Sequence, residues 1–176
     1  MSSLLRAAND YVRGGLSVIP VRDKIAYGPL LPKRYDERQK KNVATWNDYQ
    51  TRQPTIGELE TWFTNPNVNG VAGVGGSVSG NLCVIDFDVP SFYTRWRSLV
   101  GKSLSSRTTP LPTQQTPSGG YQVWFRCAEP GRNQKLAWVS SGDKQEIAIE
   151  TRATGGYALL PPSLHPNGGT YKAIDG

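Results

Sequence analysis

Short apolar runs with strand-like alternation, each closed by glycine, proline or asparagine, constrain this chain more than any other feature. They occupy residues 16–21, 68–78, 82–88, 121–127, 146–151 and 157–160. A helical bundle needs uninterrupted apolar stripes, and 19 glycines and 13 prolines in 176 residues leave little room for them. Three segments nevertheless carry helical spacing. Residues 3–14 place Leu4, Leu5, Ala8, Tyr11 and Val12 at helical intervals before Gly14-Gly15. Thr55 and Glu58 form a capping-box pattern ahead of Leu59, Trp62 and Phe63, and residues 90–100 form the third helix. The order helix, strand, helix, then mostly strands predicts an α+β fold, a mainly antiparallel sheet with flanking helices, in one domain over residues 1–176.

Gly80-Asn81 reads as a hairpin turn between the runs at 68–78 and 82–88. Periodicity lapses over residues 22–47, which read as a long basic loop, and over 102–117, a polar proline-rich loop. Residues 171–176 show no closing element, so the chain reads as the front of a longer protein.

Twenty Lys and Arg against 14 Asp and Glu give a net charge of +6, which suits polyanionic partners but does not select one. No apolar run approaches the roughly 20 residues of a membrane helix and no signal peptide is visible, so a soluble, cytoplasmic protein is expected. Cys83 and Cys127 lack zinc-site spacing and read as buried free thiols.

The chemistry concentrates in Asp86-Phe87-Asp88. On a strand, residues two apart share a face, so both carboxylates project together while Ile85 and Phe87 face the core. Two like charges roughly 7 Å apart invite a compensating cation, and Mg²⁺ favours a few carboxylates plus water and phosphate oxygens. Taken alone, such a pair is more often two solvated turn acids. In residues 146–151, Ile147 and Ile149 point one way and Glu146, Ala148 and Glu150 the other, with Arg152 continuing the polar face. Beside the Asp86 strand, Glu150 completes a three-carboxylate set; otherwise Glu150 and Arg152 are a surface ion pair. Ser118-Gly119-Gly120 precedes the strand at 121–127 and suits close approach of an anion to the backbone, although an ordinary turn looks the same.

These pieces together resemble the bifunctional primase-polymerase domain of the archaeo-eukaryotic primase superfamily, the type found in plasmid and phage replication proteins. The resemblance rests on Gly14-Gly15-Leu16-Ser17-Val18-Ile19-Pro20, on residues 55–63 and 69–72, on Asp86-Phe87-Asp88, on Thr116-Pro117-Ser118-Gly119-Gly120, and on Glu150 followed by Gly155-Gly156-Tyr157 and Pro161-Pro162-Ser163-Leu164-His165. It implies an RRM-like catalytic core and metal-dependent transfer of nucleotides from dNTPs or NTPs to a 3′-hydroxyl on a DNA template and primer. It further implies a two-metal Mg²⁺ or Mn²⁺ site held by Asp86, Asp88 and Glu150, and a triphosphate lying along Ser118, Gly119 and Gly120. Gln122, Arg152, Ser163 and His165 join the same nucleotide pocket, and a helicase in the same chain or in trans is an implied partner.

The family pattern has histidine where this chain has Gln122, and a neutral amide supplies less charge to a triphosphate. A primase-like domain that binds nucleic acid with reduced catalysis is therefore an alternative, with a metal-dependent nuclease behind it. Lys24, Lys33, Arg34, Lys40, Lys41 and Arg107 are candidates to track template phosphates. Trp46, Trp62, Trp96 and Tyr93 are candidates for base stacking or for the core.

Overall fold

The computed structural model describes residues 2–103, 111–142 and 144–175. The chain opens with α1 (Ser3–Arg13), β1 (Val18–Arg22), β2 (Ile25–Ala26), β3 (Lys33–Asp36) and β4 (Lys41–Ala44). Then come α2 (Ile56–Phe63), β5 (Gly70–Val74), β6 (Leu82–Phe87) and α3 (Pro90–Ser103). The remainder forms β7 (Thr113–Gln115), β8 (Tyr121–Arg126), β9 (Gln134–Ser141), β10 (Lys144–Arg152), β11 (Tyr157–Leu160) and β12 (Lys172–Asp175). One sheet has the order β11-β5-β1-β2, a second the order β12-β7-β8-β6-β10-β9, and β3 pairs only with β4. All these ladders are antiparallel, as the predicted α+β class requires.

Alternation decides which side chains meet. Val18, Val21, Val71 and Val74 of the four-stranded sheet share one core with Leu82, Val84 and Trp124 of the six-stranded sheet, and Leu5, Ala8, Leu59, Trp62 and Phe63 bring α1 and α2 into it. The opposite face of the six-stranded sheet carries Ile85, Phe87, Val123 and Ile149, covered by Tyr93 and Trp96 of α3. Leu82 and Val84 therefore share the face between the sheets with Asp86, two residues farther along β6. The Thr55–Glu58 capping box forms as expected.

Several sequence expectations need correction. The runs around Gly80-Asn81 are not hairpin partners, because β5 and β6 enter different sheets and only a Gly76–Leu82 bridge joins them. Residues 22–47 contain β2 and the exposed β3–β4 hairpin, while 102–117 and 171–176 contain β7 and β12. Cys127 is only half-buried; its thiol lies 3.2 Å from that of buried Cys83, and both are free. Trp62 and Tyr93 are core residues, and Trp96 packs on Phe87. Arg107 lies outside the described residues. Among the described residues no helix is long and apolar enough to cross a membrane.

Candidate active site

Strand register assembles a row of four polar side chains. Glu150 of β10 lies opposite Asp86 of β6, Asp86 opposite Gln122 of β8, and Gln122 opposite Gln114 of β7. Asp86, Gln122 and Gln114 are buried, which is unusual for these types unless each finds partners. The Gln122 amide nitrogen donates to Asp86 Oδ2 at 2.8 Å, and the Gln114 nitrogen donates to Gln122 Oε1 and to the Leu159 carbonyl, both at 2.6 Å.

The row opens at its acidic end into a cleft of about 480 Å³ between the sheets. Asp86, Asp88, Gln122, Glu150 and Arg152 form one wall. Lys24, Trp46, Tyr157, Ser118, His165 and Tyr171 form much of the rest. Lys24 sits in the two-residue turn between β1 and β2, where both Asp23 and Lys24 take positive φ. Trp46 meets Tyr157 edge-on at 5.3 Å.

Asp86 is only partly compensated. Burial, with the nearby charges of Asp88 and Glu150, pushes its carboxyl up to about 6 against the opposing effects of the Gln122 hydrogen bond and Arg152. Its Oδ1 is one of two buried side-chain polar atoms without a partner among the described residues, the other being Trp124 Nε1. Asp88 is raised too, chiefly by burial, with Lys24 and Arg152 pulling the other way. Arg152, two residues beyond Glu150 and on the same face, donates directly to Glu150 Oε1. Burial followed by the charges of Asp86 and Asp88 holds the Tyr171 phenol protonated, up to about 12, so it remains a hydrogen-bond donor beside the acids.

Among the described residues no three acid, imidazole or thiol groups converge into a ready-made metal cage. What the cleft offers is a buried carboxylate oxygen without a partner, a second carboxylate two residues away, and Glu150 held by an arginine. That donor set fits a hard divalent cation of the Mg²⁺ kind, which takes one or two carboxylates and completes its shell with phosphate oxygens and water.

A family model described as bifunctional DNA primase/polymerase, N-terminal, matches residues 8–176. The chain belongs to this family. No curated protein matches the chain. Membership gives the primase/polymerase domain a nucleotidyl-transfer role in DNA replication, with DNA and nucleotides as its partners.

The predicted site residues of the primase/polymerase domain separate into three groups. Asp86, Asp88, Glu150, Arg152, Gln122, Ser118 and His165 all line the cleft. Gly119 and Gly120 form the turn behind it: Gly119 has φ +93° and donates its N–H to the Thr116 carbonyl, and Gly120 lies against the Phe87 carbonyl, with any added Cβ 3.4 Å from Asp88 Cα. Ser163 is fully buried, its hydroxyl donating to the Val71 carbonyl at 2.9 Å and accepting from the Val71 N–H at 2.8 Å. Gln114, Tyr157 and Tyr171 were missed as site residues. Tyr157 stood inside the Gly-Gly-Tyr motif and could have been found there, whereas nothing in the polar stretch around Gln114 signals a buried strand.

Proposed function

We propose that this domain performs divalent-metal-dependent, template-directed transfer of nucleotides to a 3′-hydroxyl, in the replication of a phage or plasmid. One observation carries the reading: Asp86 is buried among acids with an oxygen that no group among the described residues satisfies, at the wall of a cleft that also presents Lys24, Arg152 and Ser118 and the rings of Trp46, Tyr157 and Tyr171. A cation and a polyanionic nucleotide complete that arrangement electrostatically.

Asp86 and Asp88 would hold Mg²⁺ or Mn²⁺, with Glu150 as third ligand. When bound, the cation supplies charge neutralisation at the triphosphate and a lower pKa for the attacking hydroxyl. The chain's own residues orient and stabilise. Arg152 divides its guanidinium between Glu150 and a phosphate oxygen, and Lys24, Ser118, His165 and Tyr171 add donors along the phosphates. Trp46 and Tyr157 form a wall against which the base or sugar packs. Lys33, Lys40 and Lys41, exposed on the β3–β4 hairpin, track template phosphates, while Arg34 is held at 2.6 Å by Asp48.

Incubation with primed template, dNTPs and Mg²⁺ or Mn²⁺ tests this. Primer extension that Asp86→Ala plus Asp88→Ala abolishes supports it. Template binding without synthesis under either metal means a nucleic-acid-binding domain with lost catalysis, and strand cleavage without dNTPs means a nuclease.

A further inference from the structure

We propose that Gln114 is a positioning residue for the reaction: with Gln122 it forms a directed amide relay that fixes the Asp86 carboxylate and leaves Oδ1 as its one free oxygen. The inference rests on the reading of Asp86 as a cation-binding carboxylate. A side-chain amide has two faces, one donating and one accepting, and its orientation is set by what it meets. The relay begins at a group with no such freedom. β11 is an edge strand, and its Leu159 carbonyl can only accept, so it turns the Gln114 nitrogen toward itself. The same nitrogen reaches Gln122 Oε1 and claims the accepting side of that amide. Gln122 is then left with its nitrogen toward Asp86, where it donates to Oδ2.

Each step is needed for the next. Without Gln114 the Gln122 amide has no partner for its oxygen, and its flipped orientation sets oxygen against carboxylate oxygen. Burial of all three side chains removes water as a substitute donor. The relay also crosses from one sheet to the other, so the position of Asp86 is referenced to β11, whose residues Tyr157, Ala158 and Leu159 line the same cleft. Gln114 touches none of the reacting atoms; it acts through Gln122.

The test measures Mn²⁺ binding by electron paramagnetic resonance, with the metal alone and no nucleotide, for Gln114→Met, Gln122→Met and the double variant. Thermal melting verifies that each is folded. Loss of a partner that orients a metal-ligating carboxylate typically weakens metal affinity by about tenfold or more. The expectation is about a tenfold loss in each single variant and no further loss in the double, because both act on one contact. Mn²⁺ affinity in Gln114→Met within about twofold of the wild type, or losses that multiply in the double variant, would overturn the relay. A second measurement on metal-free protein separates this from the cation reading. The Gln122 side-chain NH₂ protons should exchange slowly with solvent in the wild type and lose that protection in Gln114→Met. If the wild type binds no Mn²⁺, the cation reading fails while the relay is still judged by this exchange; rapid exchange in the wild type rejects it, including where Gln114→Met does not fold.

Discussion

Asp86 lies directly across the β6–β10 ladder from Glu150, yet only Glu150 has an arginine donating to it. Asp86 is the more buried of the two, and its charge, opposed by two neighbouring acids and offset only in part, sets the first prediction. With its carboxyl raised from 3.8 to about 6, the folded protein holds this proton more tightly than the unfolded chain does. The stability that this group contributes is present below about pH 4, is lost as pH rises through about 6, and stays absent above that. In chelator, Asp86→Asn should therefore stabilise the protein at pH 7.5 by about 3 kcal/mol, with the gain vanishing near pH 4. Denaturant melts at the two pH values measure it. A variant no more stable than the wild type at pH 7.5 contradicts the electrostatic account.

Arg152 is the second case. Its guanidinium is partly exposed while its partner Glu150 is largely buried, so the pair matters mainly by keeping Glu150 from standing alone among the acids. Its position in the cleft makes it a phosphate ligand in the proposed function. Arg152→Ala should lower the melting temperature, because it leaves the largely buried Glu150 unpaired beside Asp86 and Asp88, and raise KM for the incoming nucleotide by about tenfold, the loss of one charge-assisted hydrogen bond. Steady-state primer extension at varied dNTP reads this directly. An unchanged KM would confine Arg152 to Glu150.

The two glycines of the β7–β8 turn should fail differently. At Gly120 a methyl group would strike the Phe87 carbonyl and come within 3.1 Å of Thr116 Oγ1, beside the backbone that carries Asp88. At Gly119 it would meet nothing, and the penalty is the positive φ alone, about 1 kcal/mol. Gly120→Ala should depress kcat strongly by displacing Asp88, whereas Gly119→Ala should lower stability modestly and leave kcat within about threefold. Equal kcat losses in both variants would argue that the turn binds substrate rather than supporting β6.

These contrasts also show what a sequence can reveal here. Alternation is readable in β10, where Ile149 meets an apolar core and Glu150 points the other way; β6 and β8 meet apolar cores on both faces, so their runs are nearly continuously apolar and Asp86 stands out in its strand as the one charged residue. Alternation could not reveal β3 and β4, whose residues are largely solvent-exposed and leave no apolar period. β7 was hidden for another reason: its three residues are strand only because β8 and β12 flank them, and its buried Gln114 looks like a loop residue until Gln122 and Leu159 are placed around it. The Ser118-Gly119-Gly120 motif was legible as a turn, but its service to Asp88 depended on a backbone contact from another strand.

Ser163 supplies the last prediction. Its place in the Pro-Pro-Ser-x-His motif suggested a nucleotide contact, whereas its hydroxyl closes a two-way bridge to the N–H and carbonyl of Val71, inside the core beside Gly70. Removing that hydroxyl strands one donor and one acceptor of β5 away from water, and a buried polar group without a partner costs about 1–3 kcal/mol. Ser163→Ala should therefore lower unfolding free energy by about 2 kcal/mol while leaving KM for dNTP unchanged below the melting transition. Ser163→Cys, with a weaker donor and acceptor, should fall between the two. A variant of normal stability with a raised KM would return Ser163 to the nucleotide pocket and require the loop after β11 to rearrange when substrate binds.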